Sequence, residues 1–298
     1  MKILITGGTG LIGTLLSEKL INSGHSVRIL SRSKQDIPNI EVFEWNTSKN
    51  YIEKGALEGI DAIVHLAGAG IADKRWTDAR KREIIDSRVE SLKCIIANLP
   101  KNHNIKTVVG GSAIGYYGGN TGENLMDENS AAGKDFLAKC TILWEKEEEK
   151  LAEVLEARLV KIRTGVVFST RDGAFPKLIA PVKLNLGAAL GSGKQWISWI
   201  HEDDLVAMFE KAITNNNIEG VYNGVAPEPV RNDVLNQMAA KILNKAYFLP
   251  KVPGFVLKLA LGEMSVVVLG SSKVENKRKI LDRFKYPTLP MALENLLK

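Results

Sequence analysis

Hydroxyl groups and bare backbone amides, rather than metal ligands, are what this sequence offers for chemistry. Gly7, Gly10 and Gly13 punctuate the stretch Lys2-Ile-Leu-Ile-Thr-Gly-Gly-Thr-Gly-Leu-Ile-Gly13, between a short apolar run and a helical pattern that starts at Leu11. In a strand-turn-helix the first glycine permits a tight turn, and the second lets the backbone approach a pyrophosphate. The third lets the helix pack closely on the strand. Free amides and the positive end of the helix dipole then face the phosphates. A second strand, Val27 to Ser31, arrives after Gly24, the context that makes this spacing signify dinucleotide binding rather than a structural turn. At that strand's end a carboxylate would grip a ribose 2′-hydroxyl, whereas an arginine accommodates a 2′-phosphate. Ser31-Arg32-Ser-Lys34 contains no acid, so NADP(H) is expected over NAD(H).

A second cluster follows the apolar run that ends at Ser112. In Ala113-Ile-Gly-Tyr-Tyr-Gly-Gly-Asn-Thr-Gly122, Tyr116 and Tyr117 stand among glycines. Such a loop at a strand's carboxyl end is a place for hydroxyls that meet a substrate. Two further groups invite functional readings and are set aside. Gly191-Ser-Gly-Lys194 lacks the glycine spacing of a phosphate loop, and Gln195 replaces the Ser or Thr that would bind its metal. His201, Asp203 and Asp204 resemble metal ligands, but adjacent acids at a helix start are expected to be caps.

The elements that must position these groups alternate. Glu41 to Trp45 reads as a third strand, and Asp61 to Leu66 as a buried parallel strand ending in the small residues Ala67-Gly68-Ala69-Gly70. His65 within it is expected to be a packed core histidine. A long helix starts after Thr77, a plausible N-cap, with Arg80, Lys81 and Arg88 lying mostly off its apolar stripe. Lys106–Ser112, a helix over 134–155 and a strand over 158–164 continue the pattern, which predicts an α/β, doubly wound (Rossmann) parallel sheet. From about Ser169 the rhythm changes. Residues 1–168, with 198–224 returning to them, are expected to form the NADP(H)-binding part. The smaller C-terminal substrate or lid region is expected at 169–197 and 225–298, packed against it.

At 298 residues, 45% hydrophobic and 25% charged, the chain has the composition of an ordinary globular protein. It has no apolar run of about 18 residues, so no membrane span is expected, and its N-terminus does not read as a signal peptide. Only Cys94 and Cys140 occur, which points to a reducing cytoplasm without a disulfide framework. The net charge of +6 is spread, and its clusters at 74–82 and 273–279 lack interleaved aromatics. A solvated face, or attraction for an anionic small molecule, fits them better than nucleic acid. The partner expected is a small-molecule substrate; a homodimer is left open.

The motifs together resemble the extended short-chain dehydrogenase/reductases, and within them the NAD-dependent epimerase/dehydratase family, in the nucleoside-diphosphate-sugar epimerase-like branch that carries a C-terminal domain of unknown function. The matching pieces run in order from Thr6–Gly13 through His65–Gly68, Lys74–Thr77, Ser87-Arg88, Ser112–Gly118, Arg163–Val167, Gly191–Trp196 and Trp199–Leu205 to Tyr286–Thr288. The resemblance implies about seven parallel strands with the cofactor lying across their ends. Contacts are expected from Gly7, Thr9, Gly10, Leu11, Ile12 and Gly13, from Ser31 and Arg32, from Leu66, Ala67 and Gly68, and from Thr164, Gly165 and Val166. It also implies that Ser112 hydrogen-bonds the substrate's reacting oxygen.

The family uses a tyrosine with a lysine four residues later as its acid/base pair. In Asp135-Phe-Leu-Ala-Lys-Cys-Thr-Ile-Leu-Trp-Glu145 those positions fall on Phe136 and Cys140, or on Leu137 and Thr141 after a shift by one. Ser112, Tyr116 and Tyr117 are therefore the catalytic candidates. Two functions follow: an NADP(H)-dependent epimerase or oxidoreductase acting on a small polar, perhaps nucleotide-linked, substrate, or a non-catalytic NADP(H)-binding redox sensor or scaffold.

Overall fold

The computed structural model describes residues 1–298. The N-terminal half builds β1 (Lys2–Thr6), α1 (Leu11–Asn22), β2 (Ser26–Ser31), β3 (Ile40–Asn46), β4 (Tyr51–Ile52), β5 (Ala62–His65) and α2 (Asp78–Ala97). Next come β6 (Thr107–Gly110), β7 (Leu125–Met126), α3 (Phe136–Leu155), β8 (Arg158–Thr164), β9 (Val166–Phe168) and α4 (Ala174–Lys183). Then follow β10 (Trp196–Ile197), β11 (Trp199–His201), α5 (Glu202–Thr214), β12 (Gly220–Gly224), β13 (Val230–Arg231) and α6 (Asn232–Ile242). The chain ends with α7 (Gly254–Leu261), α8 (Val266–Leu269), β14 (Lys273–Val274) and α9 (Leu289–Leu297).

Eight strands form one sheet in the order β12-β8-β6-β5-β1-β2-β3-β4. All pairings from β12 to β3 are parallel, which makes the seven strands expected; β4 adds a two-residue antiparallel edge. Apolar strands of this kind need cover on both faces. Ile3, Ile5 and Ile29 pack under Leu16, Leu20, Leu205 and Phe209 of α1 and α5. Leu4, Ile63 and Val108 pack under Leu92, Ile95, Trp144 and Leu151 of α2 and α3. The chain fills one side of β1 with β2 and β3, then crosses to β5 on the other side. That reversal opens a crevice beyond the carboxyl ends of β1 and β5, where open α/β sheets bind ligands.

A third core joins Phe168, Phe175 and Trp199 to Leu235, Leu289 and Leu293, with the Phe168 and Trp199 rings stacked at 4.9 Å. The alternating stretch 195–201 is two strands instead of one. It breaks at Ser198, whose hydroxyl donates to the Ser272 carbonyl (2.8 Å) and accepts from the Val274 N–H (2.9 Å). The acids at the start of α5 do not cap it. His201 does, its Nδ1 accepting from the Asp203 N–H at 3.1 Å. Asp204 instead accepts the N–H groups of Lys285 (2.6 Å) and Tyr286 (3.0 Å), and Asp203 pairs with the Lys285 ammonium (2.8 Å). The acidic pair holds the C-terminal segment. Gly191–Lys194 leads into a strand and not a helix, as its failed spacing implied.

Candidate dinucleotide and substrate site

The glycine turn has the geometry its spacing requires. Gly7 has φ +69°, and a Cβ there would lie 2.7 Å from the Leu66 carbonyl, so the end of β5 closes directly on the turn. A Cβ at Gly13 would run into the Gly7 carbonyl, which is how α1 comes so near β1. Gly10 differs from both. Its φ is −82°, and a Cβ would meet only the Gly7 oxygen, at 3.3 Å, so its outer side is open. Gly10 is also the N-cap of α1, with no side-chain cap and no acid in the first turn. The amides of Leu11, Ile12 and Gly13 are therefore left for an anion. Thr9 is exposed beside them.

Ser31 is buried at the end of β2, while Arg32 is exposed. Lys34, nearby, is paired with Glu53 at 2.8 Å. Across the crevice, Thr6 Oγ1 accepts the N–H groups of Leu66 (3.3 Å) and Ala67 (3.2 Å), which fixes the end of β5. The Thr164 N–H donates to the Ser112 carbonyl (3.1 Å), Gly165 to Gly224 (3.0 Å) and Val166 to Ser198 (2.8 Å). These bonds bring the ends of β6, β8 and β12 together.

Ser112 is buried, and its hydroxyl donates to Glu145 at 2.6 Å. Glu145 is held in a two-pronged grip by Arg163 (2.8 and 3.0 Å), and Lys161 lies 3.3 Å away. Burial acts to raise the Glu145 carboxyl, but Arg163, Ser112 and Lys161 outweigh it and hold the group below its ordinary value.

The two tyrosines have separate fates. The Tyr117 hydroxyl donates to Asn223 Oδ1 (2.8 Å) and accepts from Arg163 (3.1 Å) in the interior. That hydroxyl is committed to the core, and burial raises its pKa, so Tyr117 leaves the set of candidate reacting groups. Tyr116 is half-buried, its ring 3.3 Å from the Arg163 guanidinium carbon, and its hydroxyl bonds to no protein group.

On α3, Phe136 packs edge-on against Trp76 with ring centres 4.7 Å apart. Cys140 is buried, and Lys139 is exposed. Trp76 is steadied by its indole N–H, which donates to the Ile71 carbonyl at 2.8 Å. Lys81 reaches from α2 to Glu263, tying the C-terminal segment across this edge of the site.

His65 is a core histidine. Its Nδ1 accepts from the Trp144 indole (3.0 Å), its Nε2 meets Ser91 Oγ (2.8 Å), and burial with the charge of Arg88 lowers its pKa to about 3. Glu148 lies 3.7 Å from the same Nδ1, in space left by Gly110. It is fully buried without a hydrogen bond, and burial together with Glu145 pushes its carboxyl well above the ordinary range. A carboxyl raised in the folded state binds its proton more tightly there, so folding is favoured at low pH. That contribution is lost as pH climbs from the unfolded value of about 4.5. Glu148→Gln is therefore expected to melt increasingly above the parent protein as pH rises from 5 to 8. A melting-temperature difference that stays flat with pH would show Glu148 to be ionised.

The fold and the glycine turn define a dinucleotide-binding α/β protein. The model of the NAD-dependent epimerase/dehydratase family matches residues 3–223, and a domain of unknown function (DUF1731) matches 252–296. The chain belongs to that epimerase/dehydratase family. It is 37% identical to the chloroplastic SDR39U1 homolog of Arabidopsis thaliana, covering all of this chain and 87% of the relative. It is 34% identical to the epimerase family protein YfhF of Bacillus subtilis, over 100% and 98% of the two chains. The crystal structure of human epimerase family protein SDR39U1 (isoform 2), solved with NADPH, is 30% identical with a TM-score of 0.88, each chain being covered to 99%.

Proposed function

We propose that the chain is an NADP(H)-dependent epimerase or oxidoreductase acting on a small polar substrate, with nucleotide-linked sugars the first class to try. The observation that carries this reading is the open first turn of α1, with uncapped amides under an unobstructed Gly10. Arg32, exposed at the end of β2, supports the 2′-phosphorylated cofactor, and so does the NADPH held by the human relative. In this reading residues 1–168 and 198–224 hold the cofactor through Gly7, Thr9–Gly13, Ser31, Arg32, Leu66–Gly68 and Thr164–Val166. Residues 169–197 and 225–298 shape the substrate side. The buried, unlinked thiols of Cys94 and Cys140 fit a reducing cytoplasm.

When bound, the cofactor gives or takes a hydride. The protein's part is the proton. Because the Ser112 hydroxyl donates its hydrogen bond to Glu145, its oxygen is left to accept one from a substrate hydroxyl. Tyr116 keeps a free hydroxyl and is the proposed acid/base. With NADPH and a panel of carbonyl compounds and sugar nucleotides, Tyr116→Phe is expected to cut turnover by about 100-fold or more. Tyr117→Phe is expected to lower the melting temperature instead, because it removes a buried hydroxyl from two bonds. Full turnover in Tyr116→Phe would remove that residue from the mechanism. NADPH binding without turnover on any member of the panel would favour the sensor reading, which the apolar Phe136 and buried Cys140 also suit.

Arg32→Ala should weaken NADPH by about tenfold and leave NADH unchanged, since a charge-assisted bond to the 2′-phosphate is lost. Calorimetric titration with both nucleotides reads this directly. Equal losses for both would show that Arg32 does not select between them.

A further inference from the structure

Five arginines are packed against the interior: Arg28, Arg80, Arg88, Arg158 and Arg163. Four of them have Nε or Nη2 bonded, Arg28 to Glu41, Arg80 to the Gly70 carbonyl, Arg158 to Thr107 and the Ala212 carbonyl, and Arg163 to Glu145. Arg88 is the exception. Its Nη1 donates to the carbonyls of Ala69 (3.1 Å) and Ile84 (2.8 Å), and its guanidinium carbon lies 4.9 Å from the Trp144 ring centre. Neither Nε nor Nη2 has a protein partner. Those two nitrogens form the edge with which a guanidinium grips a carboxylate or phosphate through two parallel bonds.

The position of this edge is specific. The guanidinium lies over Gly68, where a Cβ would stand 2.8 Å from its carbon and 3.1 Å from both terminal nitrogens. Gly68 follows Leu66 and Ala67, which close on the Gly7 turn, so the cation is seated at the carboxyl end of β5 beside the crevice. Nη1 is tethered to two carbonyls, so the free edge is pre-oriented. A half-desolvated guanidinium with two unused nitrogens gains most from an oxyanion.

We propose that Arg88 is the anion-binding residue of the substrate site, and that the substrate carries a carboxylate or phosphate gripped by the Nε and Nη2 of Arg88. This rests on reading the crevice as an NADP(H)-dependent reaction site. The test is calorimetric titration of the full chain with oxalate and with inorganic phosphate, each with and without saturating NADPH. At least one probe is expected to bind the NADPH-loaded protein, and which one does tells carboxylate from phosphate.

Arg88→Leu should weaken that probe by about tenfold or more, as for a charge-assisted pair. Arg88→Lys, which keeps the charge and loses the paired edge, should also bind it more weakly than the parent. NADPH affinity should be unchanged in both. Should Arg88→Leu fail to fold, Arg88→Lys carries the comparison. Absence of saturable binding of either probe, or binding of equal strength in the variants, would overturn the proposal. So would anion binding that disappears once NADPH is present, because the edge would then belong to the cofactor's phosphates. Anion binding that needs Arg88 in a protein that does not take up NADPH would sink the cofactor reading, and with it the reaction site, and leave only an anion site at Arg88.

Discussion

Gly10→Val is expected to abolish NADPH binding in a protein that still folds. The residue has φ −82°, which valine accepts, and the added Cβ would meet only the Gly7 oxygen at 3.3 Å. The fold should therefore lose only about 1 kcal/mol, the cost of putting a poorer N-cap residue in place of glycine. The isopropyl group would, however, stand where a pyrophosphate must approach the Leu11, Ile12 and Gly13 amides. Losing two charge-assisted bonds at about 1.5–3 kcal/mol each weakens binding by more than about 100-fold. A fluorescence titration with NADPH beside a thermal melt reads both effects. Retained affinity would mean that the turn is not the phosphate site. Gly13 would give no such separation, because its Cβ collides with the turn itself.

Arg163→Leu should bring the largest loss of stability, about 3–5 kcal/mol, because it strands a buried carboxylate. Glu145 relies on Arg163 for two bonds and most of the charge that keeps it ionised. The same change removes a donor from Tyr117 and the cation over Tyr116. Urea unfolding should show a lower midpoint, and the double variant Arg163→Leu/Glu145→Leu should recover part of it, since no lone charge is left inside. A double variant less stable than the single one would mean that the pair contributes more than the relief of a stranded charge.

The parts of this protein legible in the sequence are those set by local sterics. Gly7 and Gly13 have no room for a Cβ, so their spacing carries the turn with it. Thr77 caps α2 by accepting the Arg80 N–H at 3.1 Å, a bond within one helical turn. The features without a local signal depend on distant residues. Nothing local tells Tyr116 from Tyr117; the difference lies with Arg163 and Asn223, on two later strands. Arg80 lies off the apolar stripe, yet it is buried, because the Gly70 carbonyl and Glu83 hold its two terminal nitrogens. One missed feature did leave a signal. Glu148 falls four residues after Trp144 and three before Leu151, on the face of α3 that packs into the core. A charged residue in that register needs a partner or a proton, and burial pushes the Glu148 carboxyl towards the protonated form.

The segment matched as a domain of unknown function contains Ile280, which is buried in the core beneath β1 beside α1 and α5, with Leu281 and Phe284 packed against it. Within the same segment, β14 pairs with β7, and Asp204 holds Lys285 and Tyr286. A stop codon after residue 251 would therefore not free a spare module; it would pull a plug from the hydrophobic floor of the nucleotide fold. Chimeras that swap this tail between relatives would have to bring its floor contacts along.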